Sequence, residues 1–156
     1  MIEDRADLLL VTSPGGHLMQ LLALRAAWEP FARVWVTLPS SDAASQLDGE
    51  RVVWAHGPAH RSVPNLLRNA RLASRVLRRV RPRVVIASAA VGVPFAWLAR
   101  LRGARVVYVE SFTRIDGPSL SGRLVAGVAD RVYVQWPELV PRLRGSRYAG
   151  SVLGEP

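Results

Sequence analysis

Leu8-Leu9-Leu10-Val11-Thr12-Ser13-Pro14-Gly15-Gly16-His17 is the stretch on which the fold turns. Leu8 to Thr12 is a short, uninterrupted apolar run, the pattern of a strand buried on both faces rather than one half-exposed to water. Ser13-Pro14-Gly15-Gly16 then breaks the chain sharply. From His17 to Trp28 the residues are apolar almost all round, which predicts a well-buried helix. A strand that turns through glycines directly into a helix is the first half of a parallel βαβ unit.

The remainder repeats this alternation. Strands are predicted at Val34–Leu38, Val52–Trp54, Val84–Ser88, Arg105–Val109 and Arg131–Val134, with a last one near Tyr148. Between them fall helices at Val63–Val80, Pro94–Leu101 and Leu120–Val128, and a short one at Pro137–Leu143. The helix Val63–Val80 is the clearest. Leu66, Ala70, Ala73, Leu77 and Val80 recur by threes and fours as a core stripe, and Pro82 closes the element. Strands alternating with helices imply a parallel sheet covered on both faces. The expected fold class is α/β, a Rossmann-like parallel sheet with helices on both faces. At 156 residues it is read as a single domain, 1–156.

Charge is distributed unevenly. Residues 1–50 carry three Arg against seven acids, whereas residues 51–156 carry eighteen Arg against five. Between Arg61 and Arg105 there are eleven Arg and no acid. Arg68, Arg71, Arg75 and Arg78 form a stripe on a second face of the long helix. Such a region suits an anionic partner: nucleic acid, a phosphorylated substrate or an anionic membrane surface. A genome that writes Arg wherever others write Lys accounts for the absence of Lys, though not for the missing acids.

Other classes are disfavoured. Cysteine is absent, which removes disulfides and thiolate metal sites. The acidic start, Glu3-Asp4-Arg5-Ala6-Asp7, is unlike a signal peptide. The longest uncharged run, Val84–Ala99, would reach only about 24 Å as a helix, short of a roughly 30 Å bilayer core. A cytoplasmic protein with no transmembrane helix is expected. His56 and His60 are four apart, but Gly57 and Pro58 between them argue against a helical metal pair, so no metal ligand and no cofactor is expected. The glycine loop fits neither the Walker pattern nor G-x-G-x-x-G, which speaks against ATP and NAD.

In parallel sheets, ligands sit at the carboxyl ends of strands. Three loops fall there: Ser13–His17, Ser88–Gly92 and Glu110–Ser119. The first allows a ligand close to its backbone and sets an anion against a helix N-terminus.

The opening motif Ser13-Pro-Gly-Gly-His-Leu-Met-Gln-Leu-Leu22 resembles the glycine loop of PssD-type subunits of bacterial capsule and exopolysaccharide glycosyltransferases. Their eukaryotic relative is asparagine-linked-glycosylation protein fourteen. A longer match is Tyr108-Val-Glu-Ser-Phe-Thr-Arg114, followed by Pro118-Ser-Leu-Ser-Gly-Arg123, Ala129-Asp130, Val134-Gln-Trp-Pro-Glu138 and Tyr148-Ala-Gly150. A more distant likeness is to the N-terminal half of MurG. Pro14 departs from the Ser or Gly common in the family loop, and the eukaryotic relatives carry an N-terminal membrane anchor.

The resemblance implies the acceptor half of a GT-B glycosyltransferase split between two polypeptides, a hexosyltransferase-type subunit that is inactive without its partner. A donor-binding subunit in trans would supply the UDP-sugar. The acceptor would be a polyprenyl-diphosphate-linked saccharide in exopolysaccharide or capsule synthesis. The protein would lie peripherally on the inner face of the cell membrane. Carried over by position, His17 and Glu110 are the catalytic candidates. Ser13, Gly15, Gly16, Gly92, Ser111 and Arg114 are the acceptor-binding ones. Glu110 and Arg114 could instead form an ion pair that orders their loop. The Arg68, Arg71, Arg75 and Arg78 stripe with Trp97 is expected to meet the membrane, beside Phe95, Leu98 and Leu101. Trp136, Glu138, Val152 and Leu153 are expected at the partner interface. Two other functions compete: an Arg-rich nucleic-acid module, weakened by the scarcity of aromatics and the lack of any helix-turn-helix or RNA-module pattern, and a non-catalytic scaffold that anchors the partner.

Overall fold

The computed structural model describes residues 4–154. In chain order the elements are β1 (Leu8–Val11), α1 (Gly16–Ala23), α2 (Arg25–Trp28), β2 (Arg33–Thr37), α3 (Ser41–Gln46), β3 (Val52–Trp54) and α4 (Val63–Val80). There follow β4 (Val84–Ala87), α5 (Gly92–Leu101), β5 (Arg105–Val109), α6 (Leu120–Ala126), β6 (Arg131–Val134), a 3-10 helix (Pro137–Arg142) and β7 (Ser146–Tyr148). The strands form one parallel sheet in the order β3-β2-β1-β4-β5-β6-β7. Leu8 of central β1 stands between Arg33 of β2 and Val84 of β4.

Side chains leave the strands on alternate faces and so build two cores. On one, Leu9, Val11, Val85, Ala87, Val106 and Tyr108 meet α4, α5 and α6. On the other, Leu8, Leu10, Trp35 and Val109 meet Leu18 and Leu21 of α1, Trp28 of α2 and Ala43 of α3. The fold is Rossmann-like, with helices on both faces as expected.

Three local expectations give way. The single helix predicted from His17 to Trp28 breaks at Leu24, because the Trp28 indole N–H donates to the Leu21 carbonyl at 2.8 Å and folds the last turn back. Burial is also less complete than predicted there, since Met19 is exposed. Helix α3 was not foreseen. Ser40 caps it by accepting from the Ala43 amide at 3.0 Å, a signal hidden in a polar segment that follows Pro39. On α4 the core face is rotated from the predicted stripe. Asn65 and Asn69 turn inward and hold the backbone of residues 56–58: Asn69 bonds both the amide and carbonyl of His56 at 2.8 Å, and Asn65 donates to the Pro58 carbonyl at 3.0 Å. Leu72, Ala73, Val76, Leu77 and Val80 continue that buried face, and Leu66 is left exposed.

Candidate functional site

The direction of chain progression reverses between β1 and β4, and at that switch point a parallel sheet opens a crevice beyond its carboxyl ends. Here a cleft of about 1120 Å³ is lined by Ser13, Pro14 and His17 after β1, by Leu38 after β2, and by Pro58 to Ser62 ahead of α4. Ala89, Ala90 and Val93 form its floor at the start of α5. Ser111, Thr113, Arg114 and Ser119 close one side, while Val63, Leu66, Leu120, Ser121 and Leu124 carry the lining outward.

His17 occupies the first turn of α1, and its Nδ1 lies 2.9 Å from the hydroxyl of buried Ser88, the residue directly after β4. This bond across the switch point fixes the ring. Among the described residues no hydrogen bond engages Nε2. Burial holds the imidazole below its ordinary pKa of 6.5. Glu110 acts against that shift and Arg114 adds to it. The ring is therefore neutral near pH 7. In the tautomer whose Nδ1–H donates to Ser88, Nε2 keeps the lone pair a proton acceptor requires.

Glu110 is placed differently from the expectation of a catalytic carboxylate. It is 0 % exposed and does not line the cleft. Its oxygens accept from the Ser111 amide at 3.0 Å, the Ser119 amide at 2.9 Å and the Ser119 hydroxyl at 2.8 and 2.9 Å. Ser119 in turn accepts from the Gly122 amide at 2.9 Å as the cap of α6. A Cβ at Gly122 would stand 2.3 Å from Glu110 Oε2, so only glycine lets helix and carboxylate approach. Both Glu110 carboxylate oxygens are thus taken up by Ser111 and Ser119. The alternative ion pair with Arg114 does not form, and Arg114 stays exposed on the cleft wall. Tyr108, whose hydroxyl is 3.4 Å from Ser119, has its pKa pushed well up, first by burial and then by Glu110.

Gly92 also departs from its expected role. It is buried at the first position of α5, where a Cβ would lie 2.9 Å from that of Ala87. The glycine serves helix-to-strand packing, and its neighbours Ala89 and Ala90 meet the cleft instead. Gly15, at φ 77°, makes the turn into α1, and Gly16 packs near the Phe112 ring; both are exposed, next to the lining residues Pro14 and His17.

Two residues not foreseen from sequence position the site, one at the 110–119 loop and one at His17. Gln20, buried in α1, donates to the Glu110 carbonyl at 2.6 Å and accepts from the Phe112 amide at 3.1 Å. Ser88 orients His17. A polar residue inside the apolar run of α1 was the one available signal for Gln20. Trp136, expected at a partner interface, donates to the Phe112 carbonyl at 2.6 Å and so braces the same loop. Glu138 and Leu153 are exposed, while the Val152 amide is held by buried Gln135 at 2.9 Å.

Arg68, Arg71, Arg75 and Arg78 are exposed along α4. Phe95 is core, not edge, and Leu98 is half-buried. Trp97 and Leu101 are exposed on α5, and Trp97 donates to the Leu124 carbonyl at 3.1 Å. Leu120, 72 % exposed, and Leu124 on α6 continue this apolar surface into the cleft mouth. No helix among the described residues is long and apolar enough to cross a membrane. Nor do three His, Asp or Glu side chains cluster there as metal ligands.

The family described as "Oligosaccharide biosynthesis protein Alg14 like" matches residues 59–152, more than half of the chain. The UDP-N-acetylglucosamine transferase subunit ALG14 of Eremothecium gossypii is 50% identical over 56 residues, which cover 36% of this chain and 25% of that protein. The corresponding subunit of Schizosaccharomyces pombe is 41% identical over 58 residues, covering 36% and 28%. The matched segment thus spans about a quarter of these relatives. Among solved structures, MurG of Acinetobacter baumannii matches 96% of this chain and 46% of its own, with a TM-score of 0.74 and 18% identity. A UDP-GlcNAc 2-epimerase from Methanocaldococcus jannaschii matches 83% and 39%, with a TM-score of 0.62 and 14% identity. At such identities the likeness is one of fold, a Rossmann-like parallel sheet flanked by helices.

Proposed function

The chain belongs to the family of Alg14-like oligosaccharide biosynthesis proteins, and from that premise we propose that it is the acceptor-binding subunit of a glycosyltransferase acting on a lipid-linked saccharide. One observation carries the reading. The cleft presents two arginines, Arg61 and Arg114, and two histidines, His17 and His60, with no carboxylate in its lining, and runs outward over Leu38, Val63, Leu66, Val93, Leu120 and Leu124. A cationic end continuous with an apolar track fits an anionic amphiphile, and a polyprenyl-diphosphate-linked sugar is one.

In this reading Arg114 and Arg61 grip the diphosphate, as guanidinium forks suit phosphate oxygens. The polyprenyl chain lies along the leucines. The acceptor hydroxyl then comes to His17 Nε2, which takes its proton as the oxygen attacks the anomeric carbon of the donor sugar and the nucleoside diphosphate leaves. Glu110 contributes through Ser119 and the loop it orders. A separate donor-binding subunit brings the UDP-sugar, consistent with relatives named as transferase subunits. The exposed Trp97, Leu101, Leu120 and Leu124, with the α4 arginines, suit peripheral attachment to an anionic membrane. The finer assignment is a bacterial enzyme of exopolysaccharide or capsule synthesis.

The test is reconstitution with the candidate donor-binding partner. The complex should transfer sugar from a UDP-sugar to a polyprenyl-diphosphate saccharide, and this chain alone should not. Full transfer by a complex carrying His17→Ala would reduce the subunit to a scaffold.

A further inference from the structure

At the amino ends of β4 and β5, opposite the cleft, lies an open pocket of about 540 Å³ that shares only Arg78 with the membrane stripe of α4. It is lined by Leu77, Arg78, Arg81 and Pro82 where α4 ends, by Arg83 before β4, and by Arg102, Gly103 and Ala104 between α5 and β5. Four of its eight lining residues are arginines. Among the described residues none of the four lies within ion-pair distance of a carboxylate, although Arg79 and Arg100 close by are paired with Asp4 and Asp130. Like charges gathered around a concavity repel one another unless a counter-charge enters.

Two details argue against a chance gathering of surface side chains. Arg81 caps α4 in the left-handed conformation, φ 49° and ψ 52°, its amide bonded to the Leu77 carbonyl. Glycine is the usual residue at such a cap, and any side chain there is strained. Arg102 is held from both sides, donating to the Leu98 carbonyl at 3.3 Å and to the Ser74 hydroxyl at 3.0 Å. One arginine is thus kept at a cost in backbone conformation and another is pre-oriented at the rim, which is how a guanidinium is readied for an oxyanion.

We propose that this pocket is a second phosphate-binding site, for a phosphomonoester or diphosphate group, formed by Arg78, Arg81, Arg83 and Arg102. It goes beyond the acceptor reading and stands apart from it, because no residue is shared with the cleft. The phosphate comes from a soluble metabolite or from a lipid headgroup, and the chemistry recognised is the same.

The experiment follows amide resonances of the full chain during titration with inorganic pyrophosphate, and separately with phosphatidylglycerol vesicles in a phosphatidylcholine background. Gly103 reports on this pocket and Gly16 on the cleft. Saturable shifts at Gly103 are expected, with a dissociation constant on the order of 0.1–1 mM. Arg81→Gly should weaken that response about tenfold or more while keeping or raising the melting temperature, because glycine accepts the cap conformation without strain. Arg102→Gln should weaken it by a similar factor and leave the Gly16 response in place. Saturation by pyrophosphate assigns a soluble ligand, and response to vesicles alone assigns a lipid phosphate. Silence at Gly103 towards both probes, or an Arg81→Gly chain that binds as tightly as the parent, overturns the proposal.

Discussion

The two walls of the cleft are built to opposite specifications. On the β5 side, the 110–119 loop is fastened by Gln20, Trp136, Ser119 and the buried Glu110, and it holds Ser111 and Arg114 beside His17. On the α4 side, Asn65 and Asn69 secure only the backbone of residues 56–58, while Val63 and Leu66 lie open to solvent across from Leu120. Rigid polar geometry suits a step in which a proton must move at one position, since a small misplacement there costs much of the rate. An exposed apolar track suits a long, featureless hydrocarbon, for which burial is non-directional and register does not matter. On the proposed reading, the polar wall suits proton transfer and the diphosphate, and the apolar wall suits the hydrocarbon.

Breaking the chemical wall at its centre should have the largest effect. His17→Ala in the reconstituted complex is expected to lower kcat by about 10²–10⁴-fold, the range of a positioned acid–base group, with the fold and partner binding intact. A rise in KM alone would move His17 from chemistry to binding. Outside the cleft, on the exposed face of α4, replacing Arg68, Arg71, Arg75 and Arg78 by Gln removes on the order of 3–4 kcal/mol of attraction to an anionic leaflet. The variant should no longer sediment with anionic vesicles, and unchanged sedimentation would assign membrane contact elsewhere.

Gly122→Ala sharpens the contrast through its sign. In an open helix interior this exchange stabilises by about 1 kcal/mol. Beneath Glu110 it should destabilise by about 2 kcal/mol, read by chemical unfolding, because the added methyl meets a carboxylate already committed to Ser111 and Ser119. A stabilised variant would mean the 110–119 loop is looser than described.

The smallest effect is in the pH profile. His17 must be neutral to accept a proton, and burial lowers its pKa, so the acidic limb of kcat/KM should fall below pH 6.5. Arg114 contributes to that lowering, and Arg114→Gln should shift the limb upward. The same linkage acts on stability. The folded state binds the His17 proton less readily than the unfolded chain, so His17 contributes nothing unfavourable above the ordinary value of 6.5. Stability is then lost as pH falls from there through the lower folded value.

The order of strands and helices was legible because parallel strands buried on both faces read as continuous apolar runs between glycine and proline breaks. What escaped was tertiary in origin. The break at Leu24 depends on an indole from one turn further on capturing the Leu21 carbonyl, and the turn of α4 depends on two asparagines reaching a loop earlier in the chain. At the site, His17, Ser13, Ser111 and Arg114 could be located on the cleft wall from the loops that follow β1 and β5. Glu110 and Gly92 could not be read correctly in the same way. A carboxylate after a strand looks alike whether it meets a substrate or a helix N-terminus, and a loop glycine looks alike whether a ligand or the Cβ of Ala87 approaches it.

The central claim is that this cleft takes an anionic amphiphile rather than a nucleotide sugar. Equilibrium binding to the purified chain tests it most directly, comparing a short-chain, water-soluble isoprenyl-diphosphate-linked sugar with UDP-N-acetylglucosamine. Saturable binding of the isoprenyl ligand is expected, weakened by Arg114→Gln and by Leu120→Ser, with no comparable binding of the nucleotide sugar. Tight binding of UDP-N-acetylglucosamine that depends on Arg114, with none of the isoprenyl ligand, would contradict it.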